Sequence, residues 1–377
     1  MDDRPTAPAP ASPLFEVAWL RLFPWLRLVR APGAATDPKR LMIAALGLVA
    51  MNAGWWALDR AFGAPTAPVA RVLDAWSDSP RRLIEPVERL SAPFLGLFQT
   101  PVEPGSMLQA ALATLWVVVV WGLCGGAIAR IAAVQQAKGE RIGVVAAGIF
   151  VGKKASTLIG SPLIPLLGVA VIAAPMAGFG LLYRLPSAGP LLAGVLWFLP
   201  LIGGLVLTLI LLGLAVGWPL MIASAAVEGE DGFDALSRSY AYVYQRPWHY
   251  AGYALLAALV GSIGLLFVNA FARAVIHLTI WALSLSGSGE TATRFSLGGV
   301  EGAATASAIH AFWLGVVGLI ARGWLDSFFW TTATTIYLLL RRDVDGTPLG
   351  TIAYEGRPTM LVEAASGRVG PVEGVEV

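Results

Sequence analysis

Residues Leu191–Val227 form a run of 37 positions without one charged side chain. A hydrocarbon layer ~30 Å thick is crossed by about 20 helical residues. The run is therefore too long for one simple crossing, and must tilt, bend near Pro200 and Pro219, or leave the apolar layer early. It has company: Leu41–Leu58, Met107–Ala129, Ser161–Tyr183, His249–Asn269 and about Ala308–Leu340 are apolar runs too. Mean hydropathy is +0.70 and 13% of residues are charged, about half the ~25% of soluble domains. These features predict an all-α, polytopic helical membrane bundle of about six transmembrane helices, with amphipathic interfacial helices between them. The expected division is 1–40 as an N-terminal tail with an interfacial helix, 41–342 as the transmembrane domain, and 343–377 as a flexible C-terminal tail.

Between the runs the chain is polar and patterned. Residues 1–13 are rich in Pro and Ala and predict disorder. Leu14–Arg30 mixes aromatic and basic residues around Pro24. It suits either a helix lying on the membrane or one packed on the bundle. In the 59–105 loop, apolar patches around Val69–Trp76 and Leu83–Phe98 predict short helices on the outer surface, limited by prolines. Ile142, Val145, Ile149 and Phe150 mark another amphipathic segment, Ala270–Leu285 is expected to turn into the far interface, and 286–307 reads as a Gly/Ser/Thr-rich loop. With both termini inside, inner segments hold 17 Arg and Lys and outer ones eight, which predicts N-in, C-in with six spans. The segment order span, amphipath, span occurs twice, and Gly139-Glu140 and Gly229-Glu230 open the two connections. That is the pattern of a parallel repeat.

The most patterned polar stretch is Glu228–Trp248. Asp231 stands where a helix N-cap belongs and Asp234 follows three residues later. Phe233, Leu236, Tyr240, Val243 and Tyr244 recur at helical spacing as one apolar stripe, and Asp234 and Arg238 form an i,i+4 pair. Pro247 ends the helix, and Trp248 opens the next span beside Arg246. The expected element is an amphipathic helix in the interface, either a docking helix built on Glu228, Asp231, Asp234, Arg238, Tyr240, Tyr244, Arg246 and Trp248, or an elbow that orients the adjoining spans.

A charge near the bilayer centre is costly unless paired or solvated, which singles out Arg322 and Asp326, spaced i,i+4 on the last span. They are read as a pair lining a polar path, as a self-neutralised pair that fixes packing, or as a pair at shallower depth. Gly122–Gly126, Gly148–Gly152 and Gly213–Gly217 have the spacing that permits close helix contact. His249, His277 and His310 have no carboxylate cluster beside them, a poor basis for a metal site. No HExxH, GxSxG or P-loop pattern occurs, so no catalytic, cofactor or metal residue is assigned. The lone Cys124 can form no intrachain disulfide, and a net charge of +2 implies no nucleic-acid partner.

The run Ala225–Tyr250, with Gly217–Met221, Ser161–Gly168 and Ile336–Gly346, resembles a family of uncharacterised, planctomycete-like bacterial multi-pass membrane proteins. More distantly it is similar to the membrane domain that some glycerophosphodiester phosphodiesterases carry beside their catalytic domain. The resemblance implies an integral helical domain in a bacterial cytoplasmic membrane and no agreed activity. This chain has no room for the phosphodiesterase barrel. The expectation is a non-enzymatic scaffold or auxiliary subunit that organises membrane lipids, a protein partner or a homo-oligomer. The alternative is a permease-like transporter using Arg322 and Asp326.

Overall fold

The computed structural model describes residues 23–63, 85–186, 188–285 and 304–353. Residues 14–22 of the first amphipathic segment, the Val69–Trp76 patch, most of the 286–307 loop and the tail beyond 353 lie outside them. All regular structure among the described residues is helical. Helices α1 (Leu26–Val29), α2 (Ala31–Ala35), α3 (Pro38–Ala61), α4 (Glu85–Gly96), α5 (Pro104–Lys138), α6 (Val144–Lys153) and α7 (Ala155–Gly180) are followed by α8 (Ala188–Val195), α9 (Phe198–Glu228), α10 (Gly232–Gln245), α11 (Pro247–Ser284) and α12 (Ala304–Asp345). Six of them, α3, α5, α7, α9, α11 and α12, are long and apolar enough to cross a membrane. The chain is a helical membrane protein. The start of α3, both ends of α10 and the end of α12 lie on one side, called here the termini side.

The uncharged run is two helices. It breaks at Leu196–Trp197, ahead of Pro200. Pro200 sits in the first turn of α9, where a missing N–H costs nothing. Pro219 lies inside α9 without ending it. On the far side, a 3-10 turn at Leu181–Arg184 and α8 make the connection. Ala270–Leu285 does not turn away. No Gly or Pro follows Gly264 before position 284, so α11 continues unbroken for 38 residues. The amphipathic start of the chain packs inward from Leu28, which is buried with Ala31 and Ala35 against α11 and α12.

Burial divides the bundle along its length. The upper part of α9, 198–212, is largely exposed, as a lipid-facing surface must be, whereas its residues from Gly213 to Val227 are mostly buried. Residues 125–134 of α5 and 330–341 of α12 are buried without interruption. Helices apolar or satisfied on every face belong in a core, and here the three helix ends form one. Its polar content is self-satisfied: Thr332, Thr334 and Thr335 donate to carbonyls four residues back at 2.8 Å. Gly323 of α12 sits against Leu41 and Ala45 in the first turns of α3. From there α12 continues to Asp345, about 33 Å along its axis at 1.5 Å per residue. The termini side is thus a wrapped head standing beyond the start of the first span.

Two of the three glycine pairs are packing sites within the chain. Gly122 and Gly126 receive α7 at Leu158, whose carbonyl Pro162 cannot bond for want of an N–H. Gly213 and Gly217 receive Tyr240 and Ser239 of α10. Gly148 and Gly152 have open space around them. Gly139 and Gly229 both end their helices in the left-handed region, at φ 73° and 66°, bonding the carbonyls of Gln135 and Ala225. This is the simple αL cap, and it gives the two halves of the repeat pattern the same stop signal.

Candidate functional site

Helix α10 is built as its sequence indicates. Asp231 Oδ1 accepts from the amides of Phe233 and Asp234, both at 2.9 Å, so the N-cap satisfies two orphan donors. The helix packs against α9 and α7, burying Ala235, Leu236, Ser239, Tyr242 and Val243. The buried face is therefore turned from the expected stripe. Leu236 and Val243 are in the core, Phe233 and Tyr244 are exposed, and the small residues Ala235 and Ser239 are what allow close approach to α9. Tyr240 and Tyr244 stack with centroids 6.0 Å apart and donate to the carbonyls of Ile210 and Leu209 at 2.8 and 3.0 Å. Arg246 and Trp248 form the exposed joint with α11, and Trp248 is 86% exposed.

The charges pair differently from the i,i+4 expectation. Arg238 bonds Glu230 at 2.7 Å, and Asp234 is exposed. Backward reach to the loop carboxylate is shorter than the pairing along the helix, because the N-cap folds residues 228–231 over the first turn. Burial pushes the Glu230 carboxyl above its ordinary range, and the acids Glu228, Asp234 and Asp231 add to the rise. Arg238 pulls the other way and does not offset them. Glu230 Oε2 is buried without a hydrogen-bond partner among the described residues, which is the physical basis of that cost.

Glu228 belongs to a second cluster. It accepts from Arg341 and, at 3.2 Å, from Tyr337. Arg341 is 1% exposed, and its other terminal nitrogen holds the carbonyls of Pro348 and Thr351. Arg130 lies 4.0 Å over the Phe150 ring, a cation–π distance. It donates to Ala226 at 2.9 Å and to Ala353, while the Ala353 amide donates to Val227 at 3.0 Å. Arg40, fully buried, donates to Ala34 at 3.0 Å, to Thr331 and to Gln135. Tyr242 and Tyr253 reach Asp345 and Asp343. Carbonyls left over at helix C-termini carry partial negative charge, and Arg40 and Arg130 offset it at Ala34 and Ala226. Residues 346–353 are thereby sewn to the end of α9. Sequence reasoning treated Arg40, Arg130 and Arg341 as flanking charges; the neighbouring Arg342 is indeed exposed, and nothing in the RR pair distinguishes the two.

Arg322 and Asp326 share one face of α12, with Asp326 buried and Arg322 half-buried. Their turn is level with Leu41–Ala45 in the first turns of α3. Helix α12 does not break at Gly323. An apolar crevice of about 330 Å³ lies between α4, α5, α7 and α9, lined by Val87, Phe94, Trp121, Pro162, Leu214 and Trp218 among others. Left dry and closed, a void of that size would cost about 8 kcal/mol at ~24 cal/mol per Å³. Helix α4, expected flat on the outer surface, forms one wall. It runs antiparallel along α5 with Gly96 beside Ala110, because Val87, Phe94 and Leu95 find apolar partners only there.

Comparisons with protein families, with curated proteins and with solved structures return no match for this chain.

Proposed function

We propose that the chain is a non-enzymatic scaffold or auxiliary subunit of a bacterial cytoplasmic membrane, oriented with both termini inside, that organises lipid or protein partners through its head. What supports this is how the head's cations are used. Arg40, Arg130 and Arg341 are each committed to backbone carbonyls or to Glu228, which rigidifies a platform and leaves the α10–α11 joint, with Phe233, Tyr244 and Trp248, outward. The resemblance of Ala225–Tyr250 to multi-pass proteins without agreed activity is consistent with it. A permease reading draws support from buried Asp326, whose turn packs level with the first turns of α3. Native mass spectrometry of the protein released from lipid nanodiscs tests the proposal. A homo-oligomer or a stoichiometric protein partner that dissociates on Arg238→Glu is expected. A bare monomer whose transport of a small solute depends on Asp326 overturns it.

A further inference from the structure

The crevice between α4, α5, α7 and α9 has a definite chemistry. Its two hydroxyls are turned to their own helices: Ser91 donates to Glu88 and Thr114 to Ala110, the latter at 2.8 Å. The Trp121 indole N–H donates to Met51 Sδ at 2.8 Å. The lining thus offers an incoming molecule almost nothing to hydrogen-bond, and a water needs two to four polar partners to stay in such a place. An empty volume of that size forfeits the dispersion contacts of its whole lining.

Depth decides what fills it. Trp121 contacts Met51 and Gly47 near the middle of α3, which makes this the level of the hydrocarbon layer if α3 spans it. Leu95, on the crevice rim, is exposed, so the opening faces sideways into lipid. About 330 Å³ matches roughly ten methylenes, each taken as about one water's ~30 Å³. Gly122 seats α7 against α5 at Leu158, and Pro162 adds an apolar side chain to the wall. Trp121 and Trp218 are broad, flat surfaces suited to lie along a chain of methylenes.

We infer that this crevice binds a single acyl chain of roughly ten to twelve carbons' buried length, held between α4 and the tryptophan-bearing faces of α5 and α9. The chain is supplied either by a membrane phospholipid or by a free fatty acid. The apolar slot recognises the chain; the head of the molecule stays outside it.

Photolabelling of the full-length protein in nanodiscs tests this. Two probes are used in parallel: a diazirine-bearing fatty acid and a phosphatidylcholine carrying the same diazirine acyl chain. Label should concentrate on peptides containing 87–95, 114–122 and 214–222, at least fivefold above the exposed 198–212 face. Ala215→Trp, which fills the slot from α9, should reduce that label tenfold and leave the label on 198–212 unchanged. Should Ala215→Trp fail to fold, Thr114→Phe fills it from α5. Whichever probe labels more strongly identifies the source of the chain. Label no denser in the slot than on the lipid-facing surface, or unaffected by a folded slot-filling variant, overturns the inference.

Discussion

Arg341 and Arg342 are chemically identical neighbours with opposite environments, and replacing each by Met separates their roles. Removing one partner of a buried ion pair costs about 3–5 kcal/mol. Arg341→Met strands Glu228, whose side chain is 15% exposed, and deprives the carbonyls of Pro348 and Thr351 of their donor. Tyr337 still donates to Glu228, and 346–353 can detach into water, so the expected loss is about 3 kcal/mol, at the lower end of that range. Arg342→Met removes the same charge from an exposed site and should fall within about 0.5 kcal/mol of the parent. Denaturant titration in mixed micelles reads both, and limited proteolysis should cut 346–353 only in the Arg341 variant. A cycle with Glu228→Gln should return a coupling of about 1–3 kcal/mol. The reasoning fails if Arg341→Met costs under about 1 kcal/mol, or if the two arginine variants are indistinguishable.

Two helix glycines make an opposed prediction. An alanine Cβ at Gly125 would stand 2.4 Å from the Trp330 ring, which is fully buried among Trp121, Trp218 and Phe329 and cannot yield. Gly125→Ala should therefore cost about 1–3 kcal/mol, whereas Gly148→Ala, with nothing within 4 Å, should stabilise α6 by about 0.5–1 kcal/mol; thermal melts of the two should move in opposite directions. Glu230 carries a pH signature. A carboxyl raised in the fold binds its proton more tightly there than in the unfolded chain, so its contribution to stability falls as pH rises from its ordinary value of 4.5 through the folded one. Glu230→Gln should flatten melting temperature against pH across that window relative to the parent. An unchanged slope would show that burial does not govern this group.

The six apolar helices and the cap of α10 were legible because each is a local property: apolar length for the spans, an Asp followed by amides for the cap. Depth and rotation were not. Leu196–Trp197 breaks the long run although Pro200 looks the stronger signal, since a proline three residues into a helix is tolerated. The inward face of α10 was misjudged by about one residue position. Periodicity weighs Phe233 and Tyr244 as apolar, but against Gly213 and Gly217 it is the small Ala235 and Ser239 that fit. The pairing of Arg238 with Glu230, and of Arg341 with Glu228, spans a turn in one case and two distant helices in the other. Neither is encoded in i,i+4 spacing. The partners of α4 were not legible for the same reason: its apolar residues define a face, and only the arrangement of α5, α7 and α9 supplies something for that face to cover.

The stitch between 346–353 and the end of α9 has a bearing on biogenesis. The Val227 carbonyl and the Arg130 guanidinium are synthesised long before their partners, because the Ala353 amide and carbonyl are among the last described groups to leave the ribosome. Spans can be inserted one after another, but the head closes only when this segment arrives. A chain released after truncation before Pro348 should keep six spans but present an open, protease-sensitive head. The head's closure thus waits on residues 346–353.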